Sequence, residues 1–408
     1  MGILETLSDR GLIAQITHEE ELREHLAKNG QTAYTGYDPT ADSLHVGHLI
    51  PIMAMRWWQK AGNRAVIIMG GGTGTVGDPS GKTEMRKMLD QENINFNIQR
   101  QIHQLGRFIN LTDPKVGIVV NNFDWLGQLN YLSFLQDIGR HFSVNRMLTA
   151  ESVKQRLEKG LTFLEFNYML LQSYDFLHLY RQHKVTVQMG GDDQWSNMLG
   201  GVELVRRLES GKAFCLTVPL LTTSDGRKMG KTEGGAVWLD AEKTSPFDFF
   251  QYWRNIEDAS TIKCLKFLTE VDLAEIQDYS KLEGSEINAA KIRLAYEVTK
   301  LVHGEDEAKN ARATAESLYA GGVESVKVPQ LTISRDSVQP SIDIGSFIML
   351  VGLAPSKKEV ARLIEQGGLA LNDRKVENIK EVVGKHEIED GVMVRKGKKH
   401  YYRIVFSD

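Results

Sequence analysis

Five short runs rich in β-branched or aromatic residues punctuate the first half of the chain: Thr32–Tyr37, Arg64–Met69, Val116–Asn121, Val185–Met189 and Phe214–Val218. Longer stretches with helical spacing separate them. Strands alternating with helices are the mark of a parallel sheet, because a parallel neighbour can be reached only by a long crossover. The pattern predicts an α/β fold, a Rossmann-like doubly wound parallel sheet, over residues 1–222. Thr17 with Glu20 reads as a capping box ahead of a Leu22 and Leu26 stripe. The stretch from about 125 to 184 exceeds one crossover helix and reads as a helical insertion, a place where a partner surface is built.

The remainder divides by composition. Residues 223–245 form a loop and connector rich in small residues. Residues 246–320 are helical throughout, with Ile287, Leu294, Val298 and Leu301 on one face and stops at Gly304 and Gly321-Gly322. Residues 321–340 read as a linker. Residues 341–408 form a small α+β unit, with a capping box at Ser356 and Glu359 and a strand–turn–strand over Leu369–Val376.

At 408 residues, 41% apolar and 25% charged, the chain is neither disordered nor fibrous, and a length prior of about 150 residues per domain allows two or three domains. Its apolar runs are far short of the ~18 residues of a membrane span, so no membrane association is expected. Two cysteines, Cys215 and Cys264, are too few for a disulfide framework and read as core filler. The N-terminus lacks a basic and apolar leader, so the cytoplasm is the expected compartment. From Ser341 onward 12 Lys+Arg face 10 Asp+Glu, a balance of +2 against −6 for the rest. That asymmetry permits a nucleic-acid partner without establishing one.

Three segments compete for a phosphate-binding role. Gly72, Gly74 and Gly77 match G-x-G-x-x-G, but an earlier strand precedes them, which is the wrong context for a dinucleotide fingerprint. Gly81-Lys82-Thr83 fails as a P-loop, because Val76 stands where glycine is needed. His45-Val46-Gly47-His48 opens a helix, where free N–H groups, the dipole and two imidazoles favour a phosphate, and Gly47 admits a flat ring; a bland reading is two surface histidines. Lys228-Met229-Gly230-Lys231-Thr232 puts two lysines on a small-residue loop able to close over a polyphosphate, or else a solvated basic loop. Tyr168, Gln172 and Asp175 fall at i, i+4 and i+7 of a helix starting at Phe163. They are a wet face, or one polar wall for a small ligand.

His45–His48 resembles the HIGH motif and Lys228–Thr232 the KMSKS loop of class I aminoacyl-tRNA synthetases. Gly77-Asp78-Pro79-Ser80-Gly81-Lys82, Phe163–Phe176 and Gly190-Gly191-Asp192-Asp193-Gln194-Trp195 extend the likeness to the bacterial tyrosyl family. Gly352–Ser356 and Ala361–Gly368 resemble an S4-like RNA-binding domain. Glycine and threonine replace the two serines of KMSKS, a form the tyrosyl branch uses.

The resemblance implies a tyrosine–tRNA ligase using ATP with Mg2+ as substrate and no tightly bound protein metal. It implies L-tyrosine and tRNA(Tyr) as partners and a homodimer formed through the insertion near Phe163. Tyr34 and Asp175 would meet the phenol, and Tyr168, Gln172 and Asp78 the ammonium, with Asp38 and Gln194 placing the tyrosine. Thr40, His45, Lys82, Arg86, Lys228 and Lys231 would act on the leaving pyrophosphate. Thr35, Gly36, Gly47, His48, Gly191 and Asp193 would take the rest of ATP, with Asp192 competing for the ribose. The helical and S4-like domains would touch the anticodon and variable arm, and Arg206 and Arg207 the acceptor stem. Rival readings are a tryptophanyl-type synthetase, a catalytically inactive RNA-binding relative and, from Gly72–Gly77, a nicotinamide-linked oxidoreductase.

Overall fold

The computed structural model describes residues 2–28, 30–80, 89–232, 235–319, 330–338, 341–372, 374–383, 391–397 and 400–407. The chain divides into two compact units, residues 1–243 with 256–290, and residues 244–255 with 291–408.

The first unit is built on a six-stranded sheet of β1 (Gln15–Ile16), β2 (Thr32–Tyr37), β3 (Arg64–Met69), β4 (Gly117–Asn121), β5 (Val187–Gly191) and β6 (Phe214–Val218), ordered β1-β6-β5-β2-β3-β4. All neighbours are parallel except β1, which runs antiparallel along β6. β3 and β6 are buried almost throughout, as strands covered on both faces must be. The helix Leu49–Lys60 covers one face with seven buried apolar side chains, among them Met53 and Trp58. Its Pro51 falls in the first turn, where no intrahelical N–H is needed. The helix Tyr168–His183 covers the other face through Phe176, Leu177 and Leu179.

The doubly wound expectation holds, with corrections at the edges. The run expected at Val185–Met189 becomes β5, which starts two residues later. β1 was not foreseen at all, since two residues carry no periodicity. Its pairing also explains why Thr17 does not cap: its hydroxyl accepts from Cys215 N at 2.8 Å, and the helix Glu19–Leu26 is instead preceded by His18 at φ 47° with no side-chain cap. The insertion is a string of short helices from Phe123 to Phe166 followed by Tyr168–His183. The helix expected from Phe163 breaks at Asn167, and a capping box of Thr162 and Glu165 starts its short first piece. A buried ion pair, Arg156 to Glu165 at 3.0 Å, ties that box to the preceding helix. Cys215 and Cys264 are buried and free.

The second unit contains the helices Pro246–Arg254 and Glu305–Tyr319 and most of Ile287–His303. It also holds a sheet in which Leu369–Leu371 pairs antiparallel with both Arg374–Lys375 and Val392–Lys396. The turn expected after Leu371 carries Asn372 at φ 45°, and Ser356 caps the helix Lys357–Glu365. Among the described residues, no helix is long and apolar enough to cross a membrane.

Candidate active site

Strand order reverses between β2 and β5, since the chain runs outward through β3 and β4 and returns on the far side of β2. Ligands of open α/β sheets bind at such a switch point, beyond the carboxyl ends of the strands. A pocket of about 670 Å³ opens there, within the size range of small-molecule sites. Its lining includes Tyr34–Asp38 from β2 and the turn after it, and Gln188–Gly191 from β5.

At the deep end, Asp175 is held by Asn122 Nδ2 at 2.9 Å and by Trp125 Nε1 at 2.8 Å. Burial pushes its carboxyl up to about 7 despite those two donors, because desolvation of the charged form outweighs them. Tyr34, 2% exposed, packs edge-on against Phe176. Its hydroxyl is buried without a hydrogen-bond partner, and burial followed by the Asp175 charge raises its pKa well above the ordinary phenol value. An unpaired buried hydroxyl costs free energy unless a ligand completes it.

Two further carboxylates follow. Asp38 accepts from Tyr168 Oη at 3.0 Å and from Thr73 Oγ1 at 2.9 Å. Asp78 accepts from Gln194 Nε2 at 2.7 Å and from Ser80 N at 2.9 Å, and burial pushes it up to about 6. Gln172 Oε1 accepts from Asn197 Nδ2 at 3.1 Å. Asp38 raises the pKa of both Asp78 and Asp175, so its charge repels each of theirs. A cationic group of a ligand would relieve that repulsion.

The outer end is built from the two basic motifs. His45 caps the turn Val46–His48 by accepting from Gly47 N at 3.1 Å, while His45 N donates to His48 Nδ1 at 3.1 Å. A Cβ on Gly47 would stand 2.8 Å from the His45 ring, so glycine is needed beneath it. The strand-like segment after the lysine loop pairs back onto this turn, with Val46 N donating to Val237 O at 3.0 Å and Leu239 N to Leu44 O at 2.8 Å. Gly230, at φ 88°, sits where a Cβ would lie 2.5 Å from Val46 Cγ2. The loop is thus seated against the turn, and Lys228 Nζ reaches Asp193 Oδ2 at 3.1 Å.

Asp192 and Asp193 are separated by their partners. Asp192 Oδ1 accepts from Gln15 Nε2 at 2.7 Å and Thr217 Oγ1 at 2.8 Å, tying β1 to β6, whereas Asp193 lines the pocket.

The pocket brings together Tyr34, Thr35, Gly36, Asp38, Thr40, His45, Gly47, His48, Asp78, Tyr168, Gln172, Asp175, Gly191, Asp193, Gln194 and Lys228. Lys82 and Arg86 lie outside the described residues. Lys231 begins a two-residue strand paired with Gly235–Ala236, and its side chain lies outside the description as well. Gly72 leads into the short turn Thr73–Thr75 rather than a long helix, against a dinucleotide loop. Sequence reasoning missed Thr73, Asn122, Trp125 and Asn197, which position the carboxylates and the amide. The Asn121-Asn122 pair at the end of a strand was the available signal. Arg206 and Arg207 are exposed and both pair with Glu203.

Residues 27–320 match the family described as tRNA synthetases class I (W and Y), and residues 323–404 match a tyrosine–tRNA ligase C-terminal domain. The chain is 54% identical over 404 residues to a tyrosine–tRNA ligase of Acetivibrio thermocellus, covering 99% of both chains. It is 54% identical over 405 residues to one of Clostridium beijerinckii, again covering 99% of both. A solved structure of a C-terminally truncated mitochondrial tyrosyl-tRNA synthetase of Aspergillus nidulans superposes with a TM-score of 0.70 at 29% identity, covering 78% of this chain and 94% of that one.

Proposed function

The chain belongs to the class I tRNA synthetases, in their tyrosine–tRNA ligase branch, and from that premise we propose how the residues of the switch-point pocket divide the work. The reaction joins tyrosine to ATP as tyrosyl-adenylate with release of pyrophosphate, then passes the tyrosyl group to the terminal adenosine of tRNA(Tyr).

The observation that carries the residue assignment is the deep end, where the unpartnered Tyr34 hydroxyl and the buried Asp175 line the same pocket. A phenol entering there donates to the carboxylate and accepts from Tyr34. Phenylalanine leaves both unpaired, and an indole has no hydroxyl to offer. Tyr168, Gln172 and Asp78 take the ammonium group, with Asp38 adding charge and Gln194 orienting Asp78.

The tyrosine carboxylate is ionised at neutral pH and attacks the α-phosphorus directly. The P–O bond to pyrophosphate breaks as the new mixed-anhydride bond forms, so no side-chain base is required. Catalysis comes from positioning and from donors aimed at charge growing on the leaving group. Thr40, His45, Lys82, Arg86, Lys228 and Lys231 serve the pyrophosphate. Thr35, Gly36, Gly47, His48, Gly191 and Asp193 hold the adenosine, and Asp192 is left to a structural role by its two donors. Mg2+ arrives with ATP as part of the substrate.

The reading extends to a homodimer through the insertion, supported by exposed apolar side chains there such as Tyr131, Leu132, Val144 and Phe163. It extends to contacts of residues 246–320 and of the S4-like domain with tRNA, to Arg206 and Arg207 at the acceptor stem, and to the cytoplasm, where tRNA charging serves translation. The test is pyrophosphate exchange into ATP by Tyr34→Phe. Narrowed discrimination between tyrosine and phenylalanine supports the assignment, and unchanged discrimination overturns it.

A further inference from the structure

Residues 39–44, between β2 and the His45 turn, belong to no helix or strand, so their backbone groups need partners outside a ladder. One helix supplies them. Asn97, Gln101 and Gln104 fall at i, i+4 and i+7 of the helix Gln91–Leu105, on one face, and all three are buried. Asn97 Nδ2 donates to Pro39 O at 2.9 Å and Gln101 Nε2 to Ala41 O at 2.8 Å, while Gln104 Oε1 accepts from Leu44 N at 2.8 Å. The carbonyls on either side of Thr40 are thus both claimed by the helix, whereas Thr40 itself is exposed and lines the pocket. The third bond falls on the residue immediately before His45. From the same helix Arg100 Nη2 reaches Asp240 Oδ2 at 2.6 Å, next to the Leu239 whose N donates to Leu44 O.

Gln101 shows what the row does. Its bond to Ala41 fixes the orientation of the carboxamide, since only the NH2 end can donate to a carbonyl. The other end, Oε1, is left buried with no hydrogen-bond partner, which costs stability. An apolar side chain would avoid that cost but would release Ala41. We propose that Gln101, with Asn97 and Gln104, is a positioning residue for the activation step: the amide row holds residues 39–44 so that Thr40 and His45 face the leaving pyrophosphate. It acts through the backbone rather than by touching substrate. Donors aimed at developing charge stabilise it most when the chain that carries them is held in place before reaction. The inference rests on the assignment of Thr40 and His45 made above.

The experiment follows adenylate formation and its reversal by pyrophosphate before steady state, in wild type, Gln101→Met and Asn97→Ala, alongside thermal unfolding. Gln59→Met is the comparison. Gln59 likewise clamps a loop, with Nε2 donating to Asn110 O and Oε1 accepting from Asn110 N, both at 2.9 Å, but it does not line the pocket. Gln101→Met should slow the forward rate constant about fivefold to tenfold, the effect of one lost hydrogen bond, and weaken pyrophosphate binding in the reverse direction by a similar factor. The Kd for tyrosine should match wild type. Asn97→Ala should do the same, and carries the test if Gln101→Met folds poorly. Gln59→Met should lower the unfolding temperature and leave all three constants unmoved. Both row variants with wild-type rate and pyrophosphate binding, an equal loss of tyrosine affinity, or an equal effect in Gln59→Met overturns the inference. Thr40→Ala with an unchanged forward rate constant would instead overturn the assignment on which it rests.

Discussion

The Lys228 ammonium lies 3.1 Å from the Asp193 carboxylate, joining the lysine loop to the turn that follows β5. Among the described lining residues Lys228 is the one lysine or arginine, and in the free protein Asp193 holds that cation. On the proposed assignment ATP would give each member of the pair a new partner: phosphate for the lysine and ribose hydroxyls for the aspartate.

Replacing Lys228 with alanine should slow the forward rate constant of adenylate formation by about 10²–10³, the usual loss on deleting one preorganised donor to developing charge. The KM for tyrosine should barely move. Pre-steady-state formation of adenylate measures this, and an unchanged rate constant would remove Lys228 from the leaving-group assignment.

The buried carboxyls set a pH dependence. A carboxyl raised to about 7 at Asp175 and to about 6 at Asp78 loses its charge as pH falls through those values. In the free enzyme kcat/KM for tyrosine should therefore fall below about pH 7, more steeply below 6, because that ratio reports free-enzyme ionisations. Stability has the opposite sign: a folded pKa above the unfolded one stabilises at low pH, and that contribution is lost as pH rises through 7. A kcat/KM profile flat from pH 8 to 5 would contradict the role of the Asp175 charge.

Gly230→Ala should impair activity with little change in global unfolding. The new Cβ would lie 2.5 Å from Val46 Cγ2 at a backbone φ of 88°, a conformation that costs about 1 kcal/mol or more for a residue with a side chain. Relief requires the loop to lift from the His45 turn, so the KM for ATP should rise while that for tyrosine holds. Equal Michaelis constants for the variant and wild type would show that the seat is not needed.

Phe163 is 69% exposed on the insertion, and a charge there should oppose association if this surface buries against a second copy. Phe163→Asp should sediment as a monomer at concentrations where wild type is a dimer. A variant that remains dimeric would place the interface elsewhere.

Much of this site was legible because its residues fall in local patterns. β2, β3 and β6 announced themselves by dense β-branched and aromatic runs, His45–His48 by its position at a helix start, and Tyr168, Gln172 and Asp175 by helical spacing. What stayed hidden depends on contacts between distant segments. Thr17 looks like a cap until Cys215 claims its hydroxyl, and Asp192 looks equivalent to Asp193 until Gln15 and Thr217 bind it. The Asn121-Asn122 pair at a strand end marks Asn122 as unusual, but nothing local tells that it and Trp125 hold Asp175, fifty or more residues away.

In the proposed assignment Tyr34 and Asp175 read a phenol during ATP-dependent activation. Pyrophosphate exchange into ATP, run without tRNA and separately with tyrosine, phenylalanine and tryptophan, tests it most directly. Exchange with tyrosine alone is expected; exchange with tryptophan or phenylalanine at a comparable rate, or with none of the three, would rule that role out.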